Sequence, residues 1–264
     1  MSTRGVDISK WQHGINVEDL KKTGYEFAIL RAGYTGFGSR KMNKDSSFEG
    51  FYSEAKKCGL HVGAYYYSCA NTRQRGIDEA NFLYNNCLKG KKFEFPIYID
   101  VEDLKWQQDN KKGVTDAIIG FCETLESKKC FVGVYASLSW FRSHIETSRL
   151  NAYTKWVASW SKNKPDFHWN AFDLWQNSAS VYFEQFTIDT DIAFKDFPSL
   201  IKRAGLNGYS SSSNQITYEV KKGDTLWSIS QKYLGDGNRY KEIKSLNGLN
   251  TDLIFPGQKL KINA

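Results

Sequence analysis

The sequence predicts an α/β chain. It should form an irregular, closed β/α barrel of the TIM type, with about five regular β/α units and then short strands, followed by a small βααβ domain. Three observations carry this. Apolar or β-branched runs alternate with segments of helical periodicity through the first two hundred residues, which is the pattern of crossover units on a parallel sheet. The spacing of those runs contracts near the end of that stretch. A run of four serines, 210–213, then separates a short second piece from the first.

The expected strands cover 5–8, 27–31, 61–67, 96–101, 131–135, 156–159, 172–175 and a last one near 186–189. Helical periodicity marks 16–22, 48–57, 74–88 and 115–128 between the first five. Strands two to five start about 35 residues apart, room for a crossover helix, whereas the last three start about 15 apart. Too few residues remain there for full crossover helices, so the final strands are expected to be short and in part antiparallel. Eight strands suit a closed barrel; a doubly wound open sheet is the alternative. The expected organisation is a barrel domain over 1–206, a serine-rich linker over 207–215 and a small domain over 216–264.

Composition narrows the function classes. The chain has 264 residues, 41% hydrophobic and 25% charged, as in an ordinary globular protein. No stretch approaches the roughly 18 apolar residues of a membrane span, and the first residues lack the apolar core of a secretory signal. Cys58, Cys69, Cys87, Cys122 and Cys130 form no C-x-x-C pair and are expected as reduced, mostly buried thiols. With His13, His61, His144 and His168 also scattered, neither a metal site nor a cofactor is expected. The net charge of +7 favours polyanions, but the basic residues are interleaved with acids, so no nucleic-acid face is expected.

The chemistry sits in carboxylates at strand ends. One strand runs Pro96-Ile97-Tyr98-Ile99-Asp100-Val101-Glu102-Asp103. Residues i and i+2 of a strand share a face, about 6.6 Å apart, so Asp100 and Glu102 should project together and Asp103 the other way. Strand C-termini form the active rim of such barrels. Two carboxyls in a partly dry cleft cannot both ionise freely, which lets one act as acid and the other as anion. Asp7 ends the first strand, and Asp189 and Asp191 the last; these strands are neighbours in a closed barrel, so Asp7 and Asp189 should face one pocket. Aromatic residues reach 15%, and many lie beside these acids: Trp11, Tyr34, Tyr65, Tyr67, Tyr135, Trp140 and Trp175. Sugar rings stack on such side chains. Most should fill the core, with Tyr65, Tyr135 and Trp175 the best cleft candidates and Tyr67 beside them. Arg31 ends a strand and should pair with an acid or touch substrate.

In order, these segments resemble the motifs of glycoside hydrolase family 25, the peptidoglycan muramidases: Gly5-Val6-Asp7-Ile8-Ser9-Lys10-Trp11-Gln12, Ala28-Ile29-Leu30-Arg31-Ala32, Gly63-Ala64-Tyr65-Tyr66-Tyr67, Tyr98-Ile99-Asp100-Val101-Glu102, Gly133-Val134-Tyr135-Ala136, Leu174-Trp175-Gln176 and Ile188-Asp189-Thr190-Asp191. The resemblance covers residues 4–200. It implies an N-acetylmuramidase with Glu102 as catalytic acid and Asp100, Asp7 and Asp189 as supporting carboxylates. It further implies retention of configuration, assisted by the substrate's 2-acetamido group. Family members often carry Asp-x-Asn in the last motif; here the third position is Asp191, which leaves Asp189 and Asp191 both open as the fourth carboxylate, with Asp189 preferred. A non-catalytic wall-binding protein and a chitinase-like enzyme are the alternatives.

The second piece opens Tyr218-Glu219-Val220-Lys221-Lys222-Gly223-Asp224-Thr225-Leu226-Trp227 and closes Ile254-Phe255-Pro256-Gly257-Gln258-Lys259-Leu260-Lys261-Ile262. It resembles a LysM module, which implies binding to N-acetylglucosamine-containing glycan through Gly223, Asp224, Thr225, Leu226, Leu253, Ile254 and Phe255. The expected partner is bacterial peptidoglycan. A phage endolysin held in the host cytoplasm until lysis is the expected setting, with a bacterial autolysin as the alternative.

Overall fold

A computed structural model describes residues 2–167, 172–210 and 215–263; His168 and residues 211–214 of the serine-rich stretch lie outside the described residues. The chain forms two units, Met1–Tyr209 and Ser210–Ala264.

The first unit contains strands β1 (Thr3–Ile8), β2 (Phe27–Thr35), β3 (Met42–Lys44), β4 (His61–Tyr67), β5 (Ile97–Asp100), β6 (Val132–Ser137), β7 (Thr154–Ala158), β8 (Leu174–Phe183) and β9 (Phe186–Ala193). Its helices are α1 (Val17–Lys22), α2 (Phe48–Cys58), α3 (Arg73–Leu83), α4 (Lys111–Glu126), α5 (Leu138–Ser143) and α6 (Phe197–Ala204). β1 pairs with β2, and β2, β4, β5, β6, β7 and β8 follow in parallel order. β9 then runs antiparallel to both β8 and β1 and closes the barrel, so the open doubly wound sheet is ruled out. β3 pairs antiparallel to β2 outside the ring.

The closing strands differ from expectation. β8 has 10 residues and β9 has 8, among the longest in the ring rather than short. A hairpin needs only a two-residue connection, so the contracted spacing reflects a tight turn and not truncated strands. Glu184, at that turn, has a φ of 53°. Beyond Gln176, β8 outruns its partner β7, half-buried through Ala179 and then alternating exposed and half-buried residues to Phe183. The hairpin tip therefore stands above the C-terminal mouth of the barrel.

Strand parity sorts the side chains into two layers. Val6, Ile8, Leu30, Val62, Tyr66, Ile99 and Val134 face outward into a core shared with the helices. Phe27, Ile29, Phe95, Tyr98, Trp156 and Leu174 fill the interior. Gly133 makes room for that filling, since a Cβ there would lie 2.4 Å from the Tyr98 ring. Phe197 of α6 packs on Phe95 and Phe131, with ring centroids 5.3 and 5.9 Å apart, below the N-terminal end of the strands. With that end plugged, polar chemistry is confined to the other.

Asn207 belongs to the barrel rather than to a linker. Its Nδ2 donates to the Phe95 carbonyl and its Oδ1 accepts from the Phe131 N–H, at 2.9 and 2.7 Å. The Tyr209 hydroxyl donates to Glu94. At the far end of the expected linker, Gln215 already belongs to a strand. Cys69, Cys87, Cys122 and Cys130 are buried thiols and Cys58 is half-buried. Among the described residues, no helix is long and apolar enough to cross a membrane.

The second unit pairs β10 (Gln215–Glu219) antiparallel to β11 (Lys259–Asn263) across α7 (Leu226–Leu234) and α8 (Tyr240–Leu246). Thr225 caps α7 in a reciprocal box with Ser228, and Gly235 ends it in the left-handed conformation. Val220, Leu226, Ile229, Ile243, Leu260 and Ile262 form the small core.

Candidate active site

Five carboxyls converge at the barrel mouth. Asp7 on β1 stands opposite Asp189 on β9 in the antiparallel register, so both share one face, and Asp191 follows two residues on along that face. Asp100 closes β5, in register with Tyr67 on β4 and Tyr135 on β6. Glu102 lies just past the strand end, where its Oε1 accepts the Ser137 N–H at 2.6 Å. The backbone at the start of α5 thus aims Glu102, a constraint that strand parity does not supply.

Burial and mutual repulsion govern the protons of this cluster. Burial pushes the Asp100 carboxyl well above the usual range, Glu102 and Asp7 push it further, and Arg31 opposes them. Glu102 is raised by burial, against the pull of the Ser137 hydroxyl and N–H. Burial lifts Asp189 to about 6. Asp7 is raised by burial and then by Asp189, and Asp191 by burial and then by Asp7. Asp100 Oδ1 is buried with no hydrogen-bond partner among the described residues, whereas Asp7 and Asp191 hydrogen-bond to each other and so share a proton. Five such groups cannot all be anionic at neutral pH, so acids and carboxylates coexist in one pocket.

Indole N–H groups only donate, and this fixes the direction of the surrounding hydrogen bonds. Trp160 Nε1 donates to Gln176 Oε1 at 3.2 Å, and the Tyr135 hydroxyl donates to the same oxygen at 3.0 Å. The Gln176 Nε2 must then face Asp7, and it donates to Oδ2 at 2.8 Å. Trp156 Nε1 donates to Asp191 Oδ1, also at 2.8 Å. Burial and the neighbouring acids hold Tyr65 and Tyr135 well above the usual phenol range, so both stay neutral donors.

The other sequence candidates separate. Tyr65 packs edge-on against Trp156, and the Tyr67 hydroxyl donates to Asp103 at 3.2 Å. Arg31 pairs with Asp45 at 2.7 Å rather than with one of the five acids. Trp175 is not a cleft residue: it packs in the outer core, and its N–H donates to the Ser159 carbonyl at 2.8 Å. Its neighbour Gln176 takes the inward position. Asp103 is not peripheral. It is fully buried, its Oδ1 accepts from the N–H groups of Lys105 and Trp106, and its Oδ2 accepts from Tyr67 and the Cys69 thiol. The strand has ended by Asp103, so strand parity no longer applies and the carboxylate ties a turn. Gln176, Trp156 and Trp160 were missed as site residues. Continuing the inward parity of Leu174 would have found Gln176.

The comparisons with known proteins bear on this geometry. The family model "Glycosyl hydrolases family 25" matches residues 6–186, and the LysM domain model matches 218–263. The chain belongs to glycosyl hydrolase family 25. It is similar to the "Autolytic lysozyme" of Clostridium acetobutylicum, at 26% identity over 165 residues, 62% of this chain and 47% of that protein. Over 72 residues it is 47% identical to the N-acetylmuramoyl-L-alanine amidase sle1 of Staphylococcus haemolyticus, covering 25% of this chain and 21% of that protein. The chain therefore spans from about a fifth to about half the length of these curated relatives. Among solved structures, the CTP1L endolysin superposes with a TM-score of 0.65 at 26% identity, over 76% of this chain and 69% of that one. A Streptomyces coelicolor lysozyme shares the fold at a TM-score of 0.64 and 22% identity, over 76% and 96%. The glycosyl hydrolase unit is thus an enzyme scaffold with its acids at the mouth.

In the LysM domain the glycan-binding candidates also divide. Leu226 and Ile254 are core side chains, while Leu253 and Phe255 are exposed at 65% and 61%. Asp224 accepts from the Tyr218 hydroxyl and the Lys221 N–H, shaping the turn where Gly223 takes a φ of 92°.

Proposed function

We propose that the glycosyl hydrolase unit is an N-acetylmuramidase that cleaves the β-1,4 bond between N-acetylmuramic acid and N-acetylglucosamine in bacterial peptidoglycan. The observation that carries this is the pair at the end of β5: a half-buried Glu102 with a raised pKa beside a buried Asp100 with an unpartnered oxygen. The names of the similar lysozyme and endolysin and the presence of a LysM domain support the substrate class.

Glu102 gives its proton to the departing glycosidic oxygen as the carbonyl oxygen of the 2-acetamido group attacks the anomeric carbon. The acetamido N–H donates to Asp100 Oδ1, the partner that oxygen otherwise lacks, and this hydrogen bond favours the Asp100 anion as positive charge develops on the ring. Water, deprotonated by the Glu102 carboxylate, then opens the cyclic intermediate from the opposite face. Two inversions give retention, and no enzyme nucleophile is required. Asp7, Asp189 and Asp191 hold the pocket negative. In the LysM domain, Gly223, Thr225, Leu253 and Phe255 remain our candidates for gripping N-acetylglucosamine.

A phage endolysin released at lysis is the setting we favour, supported by the likeness to the CTP1L endolysin. A bacterial autolysin is the second reading, favoured by the equally similar autolytic lysozyme. The mechanism is tested by Glu102→Gln and Asp100→Asn together with the anomeric proton signals of the first product. Both variants should lose about a hundredfold or more in turnover, and wild type should release the β-anomer first. Initial release of the α-anomer, or near-normal turnover of Glu102→Gln, would overturn it.

A further inference from the structure

A cavity of about 690 Å³ opens beside the catalytic pair, on the side of β6, α5 and the segment after β7. Glu102, Tyr135, Ser137, Ser139, Arg142 and Trp160 are among the residues that line it. The volume falls in the range of small-ligand sites, about 300–1,000 Å³. One wall is the Trp160 ring, 68% exposed, yet tethered through its N–H to Gln176. A broad indole held in place beside a catalytic acid offers apolar surface to a sugar ring. The charges are the informative part. Of the ionisable lining groups, Glu102 is acidic and Arg142 is the cation. Behind Glu102 stand Asp100, Asp7, Asp189 and Asp191, so an anionic substituent entering this cavity meets repulsion unless a cation receives it. The Arg142 guanidinium donates to the Asp166 carbonyl at 3.3 Å, which uses one of its five N–H donors.

We propose that this cavity takes the lactyl arm of the muramic acid ring seated at the Glu102–Asp100 pair, with Trp160 against an edge of that ring and a carboxylate of the arm on Arg142. The arm ends either in its own lactyl carboxylate or in those of an attached stem peptide; the recognition chemistry is the same, a carboxylate on a planar guanidinium. Arg142 is thereby the residue that discriminates muramic acid glycans from neutral chitin-type glycans. The inference rests on the muramidase reading.

The test uses the full chain carrying Glu102→Gln, so that ligands bind without turnover, and isothermal titration with three probes. These are the N-acetylglucosamine–N-acetylmuramic acid disaccharide, its lactyl methyl ester, and the same disaccharide bearing a dipeptide. The free acid or the dipeptide form should bind about 10- to 100-fold more tightly than the neutral ester. Adding Arg142→Met should abolish that difference while leaving ester binding unchanged, and Arg142→Lys should restore part of it. Whichever charged probe shows the preference identifies the source of the carboxylate. Equal binding of all three probes, or a preference that survives Arg142→Met, would overturn the inference while leaving the muramidase reading intact. Failure to bind any probe would overturn both.

Discussion

Replacing Asp189 with Asn should stabilise the barrel above pH 6 and leave it unchanged near pH 4. The folded protein holds the Asp189 carboxyl at about 6 against an ordinary 3.8, so folding favours the protonated form. An acid raised in this way costs nothing while both states are protonated. The cost grows as pH rises from about 4 to about 6 and is constant above that. Two pKa units at about 1.4 kcal/mol each place it near 3 kcal/mol at most. Asn cannot ionise, so it removes this cost and the repulsion that Asp189 exerts on Asp7. A barrel of this size gains about 2–4 °C per kcal/mol, so the variant should melt roughly 5–10 °C higher at pH 7.5 and at the wild-type temperature near pH 4. Thermal unfolding by circular dichroism across that pH range reads the effect directly. Turnover should fall about tenfold as the pocket loses negative potential. Parallel melting curves for the two proteins at every pH would refute the reasoning, because they would show that Asp189 titrates normally in the fold.

Three further outcomes follow from the same structure. Asp103→Ala should cost about 3–4 kcal/mol in urea unfolding, since it strips partners from two turn N–H groups and from Tyr67 and Cys69 in a buried site; a loss below about 1 kcal/mol would return Asp103 to the periphery. Asn207→Ala should cost about 2–4 kcal/mol by orphaning the Phe131 N–H and the Phe95 carbonyl, and a neutral result would make residue 207 part of a linker after all. A chain ending at Ser210 should keep its activity on soluble glycan fragments and bind sedimented walls less well, because a tethered sugar module contributes effective concentration and no chemistry; equal wall binding with and without residues 215–264 would contradict this.

What the sequence discloses here follows from where strand periodicity holds. Most of the barrel strands were legible because their runs are largely apolar on both faces, as buried parallel strands must be, and β9 because it alternates. Asp7 and Asp100 were legible because each interrupts an apolar run near its end; Asp189 was legible as an acid in an apolar run, but it lies in the middle of β9 and not at its end. Parity fails where the strand stops: Asp103 lies three residues past the end of β5, and its direction is set by a turn. The apolar run that stops at Trp175 looks like a strand end, but β8 continues to Phe183, and its parity turns Trp175 outward and Gln176 inward. The length of β8 and β9 was hidden because their outer halves bury only one face, with Val181, Phe183 and Phe186 against the core, so no run apolar on both faces marks them. Asn207 looked like a loop residue by its neighbours Gly208 and Ser210; only the tertiary fold shows which backbone groups it satisfies.

The central claim is the identity of the bond cut. Purified peptidoglycan is digested, the new reducing ends are reduced with borohydride, and the released sugars are identified by mass spectrometry, with Glu102→Gln as the control. The account predicts muramitol-terminated products from the wild type and none above background from the variant. Products ending in glucosaminitol, or new free amino groups without new reducing ends, would contradict it.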